Sequence, residues 1–273
     1  MKSVRQQVLA LELLKRLGEQ QQRIFSIDSI LPLSQEVGLS PKELSLALNT
    51  LQEEGWIAVI RKGNYAITSP IAQAETAHSF EIAMELVTPA AISHWSALQH
   101  HELITHPAPY IYVLTETTPS MPRYRRKDVS LPPKVYPVGK LLYHFVQIKP
   151  ERFFGTEKVL IGPSTFYITN LERSLWDAVA LPHYCGGWAS VEAAFFVARD
   201  RIDTRKLIFY ALKGDAATAK RIGWLLEYQG KSVDELKPLL DLPIKGYRLL
   251  DPSSPAQGPF NSRWMVRINT LTA

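Results

Sequence analysis

Residues 40–68, SPKELSLALNTLQEEGWIAVIRKGNYAIT, constrain the fold more than any other stretch of the chain. Ser40 is an N-cap residue type, Pro41 suits the first helical position where a missing N–H costs nothing, and Glu43 can complete a capping box. Leu44, Ala47, Leu48 and Leu51 recur at i, i+3, i+4 and i+7, so one stripe faces a core. Lys42, Ser45, Leu46, Asn49 and Thr50 are left outside. Gly55 ends the helix. β-Branched and aromatic residues on both sides of Arg61-Lys62-Gly63-Asn64 then predict a hairpin with a cationic tip.

A capped helix that runs through Gly55 and Trp56 into a basic hairpin resembles the recognition helix and wing of winged helix-turn-helix proteins. That resemblance implies duplex DNA as a partner, with the helix in the major groove. Ser45, Leu46, Asn49 and Thr50 would meet base edges, Asn49 pairing with adenine and Leu46 resting on a thymine methyl. Ser40, Lys42, Arg61 and Lys62 would hold phosphates and set the register.

The preceding residues supply the other elements of such a domain. Residues 1–18 read as a helix with Val4, Val8, Leu11 and Leu14 on its inner face and Gly18 as its stop. Residues 23–27 read as a short strand, and residues 28–37 as a helix that contains Pro32. Residues 1–70 are therefore expected to form the winged helix-turn-helix domain, residues 71–79 a linker, and residues 80–273 a larger domain.

Charge qualifies the DNA reading. The 273 residues carry a formal net charge of +5, yet residues 1–70 hold eight Lys/Arg against seven Asp/Glu. Binding must then depend on where cations sit and not on bulk charge. The single cysteine, Cys185, excludes an internal disulfide and a cysteine-based zinc site, and reads as a small buried hydrophobe. The chain opens with no charged-then-apolar leader and has no apolar run near 18 residues, so a cytoplasmic protein without a membrane partner is expected.

Beyond the linker, residues 80–87 and 90–103 read as helices around Thr88-Pro89. Residues 110–114, 141–148, 159–161 and 164–168 read as strands. Residues 171–180, 188–201, 204–212, 216–229 and 233–240 return to helix, and residues 246–250 and 263–268 to strand, with 252–259 as a surface loop. The class is α+β: an N-terminal winged helix-turn-helix followed by a larger domain with a small sheet and several helices.

Two segments of this larger domain are Ala91-Ile92-Ser93-His94-Trp95-Ser96-Ala97-Leu98 and Ile168-Thr169-Asn170-Leu171-Glu172-Arg173-Ser174-Leu175-Trp176-Asp177-Ala178. Taken in order behind a winged helix, they resemble the AbiEi family of antitoxins, over about residues 1–230. The resemblance implies a protein that represses its own promoter at inverted repeats, as a dimer or cooperatively. It also implies neutralisation of a nucleotidyltransferase-like toxin encoded alongside. On the residues alone, Thr169 and Glu172 suit a capping box, and Arg173 with Asp177 suits an i,i+4 ion pair at a helix surface.

Other constellations carry less. His94, His100, His101 and His106 lack the i,i+3 or i,i+4 spacing by which a helix ligates one ion, so no metal is expected; His94 reads as a hydrogen-bonded packing residue. No phosphate-binding or nucleophile motif occurs, so neither a cofactor nor catalysis is expected. Arg123, Arg125, Arg126 and Lys127 surround Tyr124 in a proline-bearing loop and form a candidate second basic patch. Two alternatives remain: a regulator whose larger domain senses a small molecule or another partner, and a nuclease using Asp128, Glu151, Glu157 and Lys158 near strand ends.

Overall fold

The computed structural model describes residues 4–69, 75–117, 131–132 and 134–270. It is α+β and divides into two compact units: Met1–Ala90 with Thr117–Phe145 and Leu160–Phe166, and Ala91–Glu116 with Val146–Val159 and Tyr167–Ala273. Among the described residues, no helix is long and apolar enough to cross a membrane.

The first unit begins with α1 (Val4–Glu19), β1 (Ile24–Ser26), α2 (Ile27–Glu36), α3 (Pro41–Glu53), and the hairpin of β2 (Ile57–Arg61) and β3 (Asn64–Ile67). This is the expected order of elements. The three strands pair in the order β1-β3-β2, and Gly63 at φ 76° turns the hairpin. Leu44, Ala47, Leu48 and Leu51 all enter the core, beside Leu13, Leu14, Leu17, Phe25 and Ile30. In α1 the inner face differs from expectation: Val4, Val8 and Leu11 are 75%, 58% and 38% exposed, while Ala10, Leu13, Leu14 and Leu17 are buried. Two apolar stripes share this helix, and packing against α3 selects the one nearer its C-terminus. Pro32 lies within α2, where it removes one intrahelical hydrogen bond from a helix whose start is fixed by a Ser26–Ser29 capping box.

α4 (Ser79–Leu86) belongs to the same unit. Arg23, 8% exposed, donates to Glu81 on α4 at 3.2 Å and to the carbonyl of Pro163 at 3.1 Å, and Ser164 Oγ donates to Glu81 at 3.0 Å. Residues on both sides of the expected 71–79 linker thus share one compact unit; residues 70–74 lie outside those described.

The expected helix over 90–103 is instead a strand, β4 (Ala90–Ile92), and a shorter helix, α5 (His94–His100). β5 (Ile111–Thr115), β6 (Val135–Val138), β7 (Leu141–Gln147), β8 (Thr156–Ile161) and β9 (Ser164–Thr169) follow. They complete a six-stranded sheet in the order β6-β7-β5-β4-β9-β8, with Ile92 beside Ile168 in parallel. β6 has no counterpart among the expected strands, because Pro137 interrupts its apolar text.

The second unit is built around α6 (Leu171–Ala180), packed by α5, α7 (Trp188–Ala198), α8 (Thr204–Leu212) and α9 (Ala216–Tyr228). α10 (Lys237–Leu240) is shorter than expected, and β10 (Arg248–Leu249), β11 (Phe260–Asn261) and β12 (Val266–Arg267) form a small sheet in the order β10-β12-β11. Trp264, fully buried, lies against Gly223 of α9 so closely that a Cβ there would overlap the indole ring. Its Nε1 donates to Glu227, which also pairs with Arg263.

Candidate nucleic-acid interface

α3 starts as its sequence dictates. Glu43 N donates to Ser40 Oγ at 3.4 Å, and the Glu43 carboxylate accepts from Ser40 N at 2.9 Å and Ser40 Oγ at 2.7 Å. Those bonds, the side-chain one first, hold the Glu43 carboxyl below its ordinary range. A helix N-terminus attracts anions, and here a carboxylate of the chain itself already takes that place, so Ser40, expected to hold a phosphate, is committed to the cap.

Along the helix, Lys42, Ser45, Leu46 and Asn49 are exposed, as expected. Lys42, Leu46 and Asn49 follow at i, i+4 and i+7 and therefore share one face, with Ser45 at its edge. Thr50 does not belong to that face. It is 6% exposed and its Oγ1 donates to the carbonyl of Leu46 at 3.0 Å. The helical period brings Thr50 nearer to the buried stripe than Asn49, and a threonine hydroxyl satisfies itself on the preceding turn when turned inward. Glu53 takes up the outward face one turn on from Asn49 and adds a negative charge there.

At the hairpin tip Arg61 and Lys62 are both exposed. Arg61 lies 3.7 Å from Glu85 of α4, with the two side chains 58% and 41% exposed. Among the described residues, Lys42 and Lys62 make no ion pair. Sequence reasoning missed two neighbours of this surface. Glu85 sits in text read as a separate domain, and Arg5 of α1 lies close enough for its charge to act on Glu43. The candidate patch Arg123, Arg125, Arg126 and Lys127 lies outside the described residues, as does Asp128.

The second segment noted in the sequence is far more buried than its composition suggests. Every residue from Glu172 to Val179 of α6 is buried. Thr169 and Glu172 do not form the capping box. Asn170 is the N-cap, accepting from Arg173 N at 3.0 Å, while Glu172 binds Lys206 Nζ at 2.8 Å and Thr169 Oγ1 meets Ser174 Oγ at 2.8 Å. Arg173 and Asp177 pair at 3.0 Å with side chains only 1% and 3% exposed, so this is a core ion pair and not a surface one.

The histidines disperse. His94 Nδ1 meets Ser93 Oγ at 2.8 Å, His101 Nε2 meets the carbonyl of Thr169 at 2.7 Å, and His106 is exposed. Among the described residues, no group of His, Cys, Asp or Glu side chains is placed to hold a metal ion. Burial first, and then the Asp177 charge, push the Cys185 thiol well up, which disfavours the thiolate a nucleophile needs. Glu151, Glu157 and Lys158 are exposed.

No family model and no curated protein matches the chain. A crystal structure of the Rv2827c protein from Mycobacterium tuberculosis is similar to it, with a TM-score of 0.67 and 13% sequence identity, covering 95% of this chain and 90% of that one. At such identity the similarity concerns the fold alone.

Proposed function

We propose that this chain is a cytoplasmic, DNA-binding autorepressor that also serves as an antitoxin against a nucleotidyltransferase-like toxin, without catalysis of its own. The observation that carries the DNA half is the outer face of α3, where Lys42, Ser45, Leu46 and Asn49 are exposed on a capped, core-anchored helix that leads into the exposed Arg61 and Lys62 of the hairpin. Such a face has the donor, acceptor and methyl groups that read a major groove, and such a tip has the charge that holds a backbone. The weak net charge of residues 1–70 implies modest affinity for random DNA and a larger share of binding from base contacts.

A mobility-shift titration on the upstream promoter tests this half. A shift that is competed by the specific duplex more strongly than by random DNA is expected; no shift of folded protein at low salt refutes it. The antitoxin half rests on the resemblance of the two larger-domain segments. Co-expression with the adjacent gene should rescue growth, and loss of rescue with normally folded protein would leave a regulator only.

A further inference from the structure

α7 is apolar around its whole circumference: of its 11 residues, WASVEAAFFVA, only Ser190 and Glu192 are polar. A helix of that composition belongs inside a protein, yet only one side of α7 is covered. Trp188, Val191, Ala194, Phe195 and Ala198 are buried in the core of the second unit. On the other side Ala189, Ala193, Phe196 and Val197 are exposed, Phe196 by 63%. A groove of about 630 Å³ separates this side from α9, lined by Ala189, Ala193 and Phe196 of α7 and by Trp224 and Tyr228 of α9. The Tyr228 ring is 73% exposed and stacks on that of Trp224 at 5.3 Å.

The same groove carries both signs of charge. Glu192 and Arg199 line it, Arg199 following at i+7, so they stand two helical turns or about 10 Å apart with Phe196 between them. Glu192 accepts from Trp188 Nε1 at 2.8 Å, which fixes its carboxylate. The Arg199 guanidinium lies 4.5 Å from the centre of the Phe196 ring and 3.3 Å from Asp200, in an exposed pair that holds it only weakly. A twofold axis beside Phe196 would set α7 antiparallel to its own copy. The spacing then brings each Glu192 level with Arg199 of the second copy. An isologous interface needs one surface that complements itself. Here a projecting ring and a recess, an acid and a base, occupy one patch, whereas a different protein would need only one member of each pair. We propose that this face of α7 and α9 is a homodimer interface, in which Phe196 of each copy enters the other's groove between two Glu192–Arg199 ion pairs. Helices of about 16 and 20 Å offer less than a standard interface, so dissociation in the micromolar range is expected.

This interface belongs to the second unit alone, is independent of the DNA-binding reading and is tested without DNA. Sedimentation velocity of the full chain up to ~100 µM should show a concentration-dependent equilibrium of monomer and dimer. Phe196→Glu alters a side chain already in solvent, so it should fold normally and weaken the dimer at least tenfold. Glu192→Arg and Arg199→Glu, each alone, set like charges against each other across the axis and should also dissociate. Mixed in equal amounts, the two variants present opposite charges at both contacts, and dimers should return. A wild type that stays monomeric at ~100 µM overturns the proposal and leaves the groove to another occupant. Phe196→Glu protein that dimerises as the wild type does overturns it equally, because the contact then lies elsewhere. A mixture of the two folded charge variants that stays monomeric overturns the antiparallel pairing on which the proposal stands; should Glu192→Arg fail to fold, Phe196→Glu decides alone.

Discussion

Asn49 presents both an N–H donor and a carbonyl acceptor from an exposed position on a helix whose opposite side is locked into a core, the position from which it would read a base in the proposed DNA complex. Asn49→Ala should therefore cost about 1–3 kcal/mol of discrimination at one base pair and leave binding to random DNA nearly unchanged. Competition against operators substituted one position at a time measures this, and an unaltered preference would mean that α3 docks another way. Arg61 and Lys62 should behave in the opposite manner. Replacing both with alanine should weaken binding to every sequence and flatten the slope of log affinity against log salt by about 0.9 for each phosphate no longer neutralised. Arg173 marks the limit of what residue types disclose. The i,i+4 spacing to Asp177 is readable, but a charged pair on a helix reads as a surface feature worth about 0.2–0.5 kcal/mol. Its burial follows from carbonyls of residues 152 and 154 and from the Phe154 ring, none of which is near in sequence. Arg173→Met, which strands a buried carboxylate, should cost roughly 3–5 kcal/mol in urea denaturation; a loss below about 1 kcal/mol would contradict the buried pairing.

At the scale of elements, α4 carries a pH dependence. His78 is its N-cap, Nδ1 accepting from Phe80 N at 3.1 Å, and its ring stacks on Phe166 at 5.1 Å. Burial, against an opposing pull from Glu81, lowers its pKa from 6.5. A lowered folded-state value means that the unfolded chain takes up the proton first. The cap's contribution is then complete above pH 6.5 and declines as pH falls through the folded value. Wild-type stability should drop between about pH 7 and 5 more than that of His78→Asn, which keeps an acceptor but does not titrate. Parallel denaturation curves for the two proteins across that range would rule out His78 as the source. Elements with a clear signal are readable: α3 from its capping box, α6 and α8 to their end residues, and the hairpin from its turn. β4 and β6 are not, since three apolar residues in a row or a strand broken by Pro137 carry no period to detect. In α1 two stripes satisfy the same spacing, and only the tertiary partner chooses between them.

For the whole molecule, a boundary drawn along the sequence presupposes that a domain is one continuous segment. The first unit is not: it draws on three stretches of chain, and Arg23 near the beginning finds Glu81 and Pro163. Nothing in composition announces a partner 140 positions away. A fragment ending at residue 79 should accordingly be less stable than the same region in the full chain, because the packing of α4 on β2 is removed and Arg23 loses Glu81 and the Pro163 carbonyl while keeping Glu75. Thermal unfolding of the fragment, followed by circular dichroism alongside the intact protein, measures this; equal stability would show that residues 1–79 stand alone. The pairing of Gly223 with Trp264 makes the end of the chain part of the second unit's packing. A chain truncated before residue 264 lacks the indole that seats on Gly223, and α9 then carries an open notch on that face.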